Sequence, residues 1–190
     1  MRVERIPYQQ TNFFSKFILD YLSGEACLSP FYHRAPKLSN FKAQLKEKQN
    51  QFVNRAVLVE ELSQQYSLID TTDSVTRNIQ SLLHENTFTV ATGHQLCLFT
   101  GPLYFIYKII TTINLSEQLK SEYPEYNFVP IYWMASEDHD FDEVNHVHLF
   151  GKTLQWSQGQ KGAVGAISTE SMQSLFNQLK PILGDSKNAE

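Results

Sequence analysis

Apolar positions along the chain follow two different periods, and the change falls near Thr87. Before it the spacing is helical. Residues 12–22 (NFFSKFILDYL) predict a short amphipathic helix ending at Gly24. Residues 28–38 hold two prolines and read as loop. Ser39-Asn40 can cap a helix running to about Arg55, and a second helical stretch follows to about Gln65. Asp70 to Asp73 supply a further cap before Val75, Ile79, Leu82 and Leu83, which recur at helical spacing. Residues 1–86 are therefore expected to form a mostly helical segment that packs as scaffold on a core built by residues 87–190.

From Thr87 the pattern is that of a sheet. Thr87-Phe88-Thr89-Val90-Ala91 is β-branched and aromatic, a short strand that runs into a loop, Thr92-Gly93-His94-Gln95. Gly101-Pro102 then punctuates the chain, with proline suited to a first helical position. Leu103, Ile106, Tyr107, Ile110 and Ile113 form one helical stripe, which Ile109 widens, so the helix is expected to be well covered and to end near Tyr123-Pro124. Phe128 to Met134 is continuously apolar, as in a parallel strand buried on both faces, with Pro130 near its start. His146–Phe150 and Thr153–Trp156 predict a hairpin around Gly151-Lys152. Thr169–Leu183 predicts a closing helix interrupted at Pro181. A strand, helix, strand crossover puts its two strands parallel in one sheet. The loops after both strands then emerge at the same carboxyl edge, where open α/β folds bind ligands. Residues 92–95 and 137–140, more than forty positions apart, are thus expected to lie within roughly 15 Å across one compact pocket.

Composition narrows the class. A net charge of −4 with scattered Lys and Arg argues against a duplex nucleic-acid binder, which needs many phosphate contacts on one face. The opening residues MRVERIPYQQ lack a signal-peptide pattern, and no apolar run approaches the roughly 20 residues of a membrane span. Cys27 and Cys97 stand alone, with no CxxC pair, which suits free thiols in a reducing cytoplasm.

Two segments can carry chemistry. Gly93 permits a tight turn or close backbone approach. His94 can donate to a phosphate or act as acid or base, and Gln95 adds an amide. A histidine capping the next helix is the plainer alternative for His94. Glu137, Asp138, Asp140, Asp142 and Glu143 place five carboxylates in seven residues, with His139 among them. Such a run is usually a solvated loop. Directly after a buried strand it must also avoid self-repulsion, through cations, donor-rich substrates or shifted pKa values. His146 and His148 alternate and point to one face; with His139 or Asp140 they could hold a divalent metal, though at no familiar zinc spacing. Lys108 can snorkel out of its apolar helix or reach an anion. Cys97 reads as core packing. Phe150-Gly151-Lys152-Thr153 imitates the tail of a phosphate loop, but that motif needs glycine where residue 146 is His. Gly159, Gly162 and Gly165 make a flexible stretch, either a plain surface loop or one beside the substrate.

Two blocks of residues resemble a known family. Thr92-Gly93-His94-Gln95 with Phe99-Thr100-Gly101-Pro102-Leu103-Tyr104 and Lys108 form the first. Val129-Pro130-Ile131-Tyr132-Trp133-Met134-Ala135-Ser136-Glu137-Asp138-His139-Asp140-Phe141 with Glu143-Val144-Asn145 form the second. Both are similar to the signatures of the bacillithiol biosynthesis cysteine-adding enzymes, a family of cysteine ligases. The resemblance implies an α/β fold with a Rossmann-like parallel sheet core, incomplete in this chain, similar to class I aminoacyl-tRNA synthetases. It implies a catalytic set of His94, Asp138, His139 and Asp140. Thr92, Gly93, His94, Gln95, Gly101 and Lys108 would hold the nucleotide, and Glu137 and Asn145 would face the substrate. Family members often carry Gln where this chain has His94, so hydrogen-bond donation could suffice there.

The implied reaction joins the carboxyl of cysteine to the amine of glucosaminyl-malate. Amide formation in water is uphill, so the carboxyl must be activated, and an ATP-derived acyl-adenylate suits a synthetase-like core. Metal involvement is left open. Longer members end in a helical coiled-coil region that dimerises, so a homodimer of the full-length protein is implied, and a core of 190 residues should leave apolar surface uncovered. Two other readings stay open: a metal-dependent phosphohydrolase using Asp138, His139, Asp140 and His146, and a non-catalytic α/β interaction module.

Overall fold

In the computed structural model, residues 4–157, 159–185 and 187 are described. The chain forms two compact units, one ending at Phe52 and the other beginning at Val53. The division falls earlier than residue 86, so the later helices group with the sheet.

The first unit holds α1 (Tyr8–Thr11), α2 (Lys16–Ser23) and α3 (Leu38–Gln49). The helix expected over 12–22 begins later, because Asn12 turns left-handed at the end of α1. The Ser15 hydroxyl then caps α2 by accepting from Ile18 N, and α2 ends at Gly24 as anticipated. The start of the stretch expected as loop, residues 28–31, belongs instead to a 3-10 helix, Ala26–Phe31, that includes Pro30. Ser39-Asn40 does not cap α3. Lys37 sits at that position, and Asn40, already in the first turn, donates its side-chain amide back to Ala35 O. The helix stops at Gln49, short of Arg55. His33 and Arg34 both bond the Glu47 carboxylate, at 2.9 and 2.6 Å, which holds that carboxyl below its usual range, Arg34 contributing most.

The second unit carries α4 (Arg55–Tyr66) and α5 (Asp73–Ser81), then β1 (Thr87–Gln95), α6 (Leu103–Glu122) and β2 (Asn127–Ala135). The Arg55 guanidinium donates to Leu82 O and Thr87 O, tying the start of α4 to the entry of β1. Val59, Ile79 and Leu82 bury against Val129, so α4 and α5 pack on the sheet. β1 and β2 are parallel, in register from Thr87↔Asn127 to Gln95↔Ala135, with α6 as the crossover packed on both. The Rossmann-like α/β expectation therefore holds.

Five local expectations change. Thr92-Gly93-His94-Gln95 is not a loop after β1 but its last four ladder positions. Pro102 is the N-cap residue of α6 and not its first helical residue. The apolar stripe of α6 is not the covered face: Thr112, Ser116 and Leu119 are buried, while Leu103, Tyr107, Ile110 and Ile113 are exposed. Small residues let the helix approach the strands closely, and the Thr112 and Ser116 hydroxyls are satisfied by the carbonyls of Lys108 and Thr112 one turn back. β2 is buried on entering, at Phe128 and Val129, but Trp133 and Met134 at its end are exposed. Pro130 sits mid-strand, which a two-stranded sheet tolerates because each strand is an edge.

Beyond β2 come α7 (Phe141–Val144), the antiparallel hairpin of β3 (His146–Leu149) and β4 (Lys152–Gln155), and α8 (Gln173–Leu183). The turn is Phe150-Gly151, one residue earlier than expected. Both have positive φ, 49° and 75°, the primed geometry that matches strand twist. The closing helix is divided at its start, where a 3-10 turn spans Glu170–Met172, and not at Pro181, which lies inside α8. A second core gathers Leu98, Val147, Leu154, Trp156, Ile167 and Leu175. Among the described residues no helix is long and apolar enough to cross a membrane.

Candidate functional site

The carboxyl end of the sheet is where both sequence blocks arrive. Gly93 faces Trp133 across the ladder; a Cβ there would stand 3.2 Å from Trp133 Cβ and from its carbonyl oxygen. A side chain at this position would crowd the neighbouring strand, which would have to give by a few tenths of an ångström. The exposed Lys108 ammonium donates one hydrogen bond to Gly93 O at 2.8 Å. The Tyr132 hydroxyl donates to His94 O at 3.2 Å.

The tautomer of His94 follows from its partners. Nδ1 lies 3.1 Å from Gln95 O, and a carbonyl only accepts, so Nδ1 carries the proton. Nε2 then accepts from the Tyr104 hydroxyl at 3.0 Å. Tyr104 and Phe105 flank the ring at 5.2 and 5.6 Å. Cys97 Sγ is 3.5 Å from Nδ1, but a protonated nitrogen cannot take the thiol proton, and burial pushes that thiol above its usual value. Cys97 is thus a neutral thiol and not a primed nucleophile.

Gln95 joins the two blocks. Its amide nitrogen donates to Asp138 Oδ2 at 2.9 Å and to Glu143 Oε2 at 2.8 Å, linking residues 43 and 48 positions apart. The shared-edge expectation is met by direct contact. Asp138 also accepts from Asp140 N at 2.9 Å, and these two donors, the backbone one first, hold its carboxyl below the ordinary value. Asp140 caps α7 by accepting from Glu143 N. The acidic run therefore escapes self-repulsion largely through donors of the protein itself. Glu137 and His139 are exposed. Asn145 is buried, its side chain bonded to Asp142 and His146.

The glycine-rich stretch contributes a feature that residue patterns did not reveal. A 3-10 turn at Val164–Ala166 docks on the acidic loop, with Val164 N donating to Asp138 O at 2.7 Å and Gly165 N to Ser136 O at 2.9 Å. A Cβ on Gly165 would meet Ser136 Cβ at 2.6 Å.

Between these elements lies a cavity of about 350 Å³ lined by Cys97, Gly101, Tyr104, Glu143, His146 and His148, among others. One wall is the start of α6, at Leu103 and Tyr104. The segment leading to it is strained: Phe99, Thr100 and Gly101 all have positive φ (48°, 71° and 59°), which is costly for Phe and Thr. The rings of His146 and His148 stand 5.2 Å apart on one face, as their alternation implied. Among the described residues no three His, Cys, Asp or Glu side chains converge as metal ligands. The positive end of a 20-residue helix borders the cavity, with backbone N–H groups of its first turn unused by the helix, suited to a phosphate. Tyr104, Cys97, Glu143 and His148 join the expected residues here. Tyr104 had a signal, one helical turn before Lys108; Cys97 had none beyond its place inside the first block.

Comparison with known proteins gives the site a family context. The whole sequence, residues 1–190, matches the family described as bacillithiol biosynthesis BshC, N-terminal Rossmann-like domain. A protein of Flavobacterium psychrophilum named "Putative cysteine ligase BshC" is 51% identical over 193 residues, covering 100% of this chain and 36% of that relative. One of the same name from Christiangramia forsetii is 50% identical over 191 residues, covering 97% and 36%. A more distant one from Bacillus cereus is 30% identical over 170 residues, covering 87% and 31%. The chain spans about a third of the length of these relatives.

Proposed function

The chain belongs to the BshC family, as its N-terminal Rossmann-like domain, and from that premise we propose that a protein of the relatives' full length carrying it joins the carboxyl of cysteine to the amine of glucosaminyl-malate with nucleotide activation. The observation that carries the reading is the cavity between the positive start of α6 and the carboxylate of Glu143. One wall suits phosphate or a developing negative charge, the other an ammonium group. When bound, ATP would supply a phosphate leaving group for the cysteine carboxyl.

The residues of the chain position and polarise. The N–H groups of Leu103 and Tyr104 would hold phosphate oxygens. Lys108, fixed on Gly93 O, keeps a positive charge beside the same strand end. Gln95 holds Asp138 and Glu143 so that the acidic wall keeps its place. His94, Asp138, His139 and Asp140 remain the proposed catalytic group. Within it, the hydrogen bonds favour an organising role for His94, Asp138 and Asp140, while the exposed His139, with Glu137 beside it, would meet substrate. The reading carries with it a cytoplasmic location and a homodimer formed through the remaining length.

The test is product formation by mass spectrometry, using full-length protein with cysteine, glucosaminyl-malate and ATP. A new thiol product that requires nucleotide is expected. Robust product without nucleotide would overturn the activation, and no product under any condition would overturn the ligase reading.

A further inference from the structure

Two imidazoles line the cavity without a role in the proposed reaction: His148, whose Nδ1 bonds the Thr153 hydroxyl, and His146. His146 opens β3 and lines the cavity near Glu143 and Tyr104. Its neighbour Asn145 is 3% exposed, and its amide makes two bonds of fixed sense. Asn145 Nδ2 lies 3.3 Å from Asp142 Oδ1. An ionised carboxylate has no proton to give, so the amide must present its nitrogen there. Asn145 Oδ1 then faces His146 Nδ1 at 3.2 Å. A carbonyl oxygen only accepts, so Nδ1 carries the ring proton and the neutral ring keeps its lone pair on Nε2. No hydrogen bond to Nε2 is formed among the described residues. His94 is the contrast, since both of its nitrogens are engaged inside the protein.

We propose that His146 Nε2 accepts the proton of the attacking amine, with Asn145 and Asp142 as positioning residues that set its tautomer. The proposal rests on the ligase reading above. In the step, a bond forms between the amine nitrogen and the carboxyl carbon of cysteine. The bond from that carbon to its phosphate leaving group, derived from a nucleoside triphosphate, breaks and its electron pair leaves with the phosphate oxygen. The amine proton passes to Nε2. The titratable groups around the ring are His148 on the same strand, Glu143 on α7, and Cys97 and Tyr104 lining the same cavity.

Two measurements on the full-length protein test this. The first is the nitrogen-15 NMR signature of the His146 ring at about pH 8.5, where an ordinary imidazole is neutral. The Nδ1–H form is expected, and Asp142→Asn, which frees the Asn145 amide to turn, should shift it toward a mixture. An Nε2–H ring in the unaltered protein would overturn the proposal whether or not the enzyme is active. The second is turnover of His146→Ala. Loss of general-base help should lower kcat by roughly 10²- to 10⁴-fold, with partial rescue by added imidazole. Asp142→Asn should lower kcat less while leaving KM for the amine in place. An active wild-type enzyme whose His146→Ala variant keeps full kcat would overturn the assignment alone. A wild-type enzyme that makes no product would overturn the ligase reading and this role with it, and the tautomer spectrum would still report whether the ring was read correctly.

Discussion

Substituting Gly101 by alanine probes the joint between β1 and α6 at its tightest point. Gly101 has φ 59° and ψ −152°, a region essentially closed to residues with a Cβ. Forcing alanine there costs about 1–3 kcal/mol. The new methyl would also sit 2.6 Å from Cys97 Cβ and 3.1 Å from its sulfur, where apolar carbons prefer about 3.5–4.0 Å. Moving the neighbour by about 1 Å adds overpacking of roughly 1–3 kcal/mol. The stiffer unfolded chain returns only about 0.4–1 kcal/mol. The net expectation is destabilisation by roughly 1–5.5 kcal/mol, a large share of the 5–15 kcal/mol typical of a domain. Urea unfolding of the full-length protein gives the magnitude. Hydrogen exchange locates it, with the amides of Leu98–Tyr104 losing protection first. The double variant Cys97→Gly/Gly101→Ala removes the clash but not the backbone strain, so it should recover only the clash contribution relative to Cys97→Gly. A Gly101→Ala protein within about 0.5 kcal/mol of wild type, the scatter of ordinary surface changes, would refute the reasoning.

Other consequences can be checked as directly. The Asp138 carboxyl is depressed, so its stabilising hold on Asp140 N and Gln95 is complete above the ordinary aspartate value of 3.8 and is lost as pH falls through its lower folded value. Asp138→Asn should make Asp140 amide protection indifferent to acid, and an unchanged acid response would refute this. Thr87 is buried and its hydroxyl has no partner among the described residues, so Thr87→Val should leave stability unchanged or raise it by up to about 1 kcal/mol; a clear fall in the melting temperature would mean that the hydroxyl is satisfied. His94→Gln should keep kcat within about tenfold if the position supplies hydrogen bonds alone, whereas collapse of turnover would require an imidazole there.

What was legible beforehand was local or followed from topology. The change of period at Thr87, the crossover helix and the apolar entry of β2 are written in neighbouring residues, because helices and strands repeat over a few positions. The parallel pairing, and hence the meeting of residues 92–95 with 137–140, followed from connection rules and needed no contact to be known. Other features depended on what each segment met. Thr-Gly-His-Gln reads as a loop by propensity, yet partners from Tyr132 to Ala135 extend the ladder through it. The apolar stripe of α6 gave no sign that Thr112 and Ser116 would be the buried face, since close packing selects small residues and not only apolar ones. The docking of Gly165 on Ser136, the contact of Gly101 with Cys97, and the ring protons of His94 and His146 arise from atoms brought together in space. Residue order alone determined which groups could reach the sheet edge. Which of them are already engaged there, and which nitrogen is left to take a proton, was decided only by tertiary hydrogen bonding, because donors and acceptors are assigned by their partners and not by their neighbours in sequence.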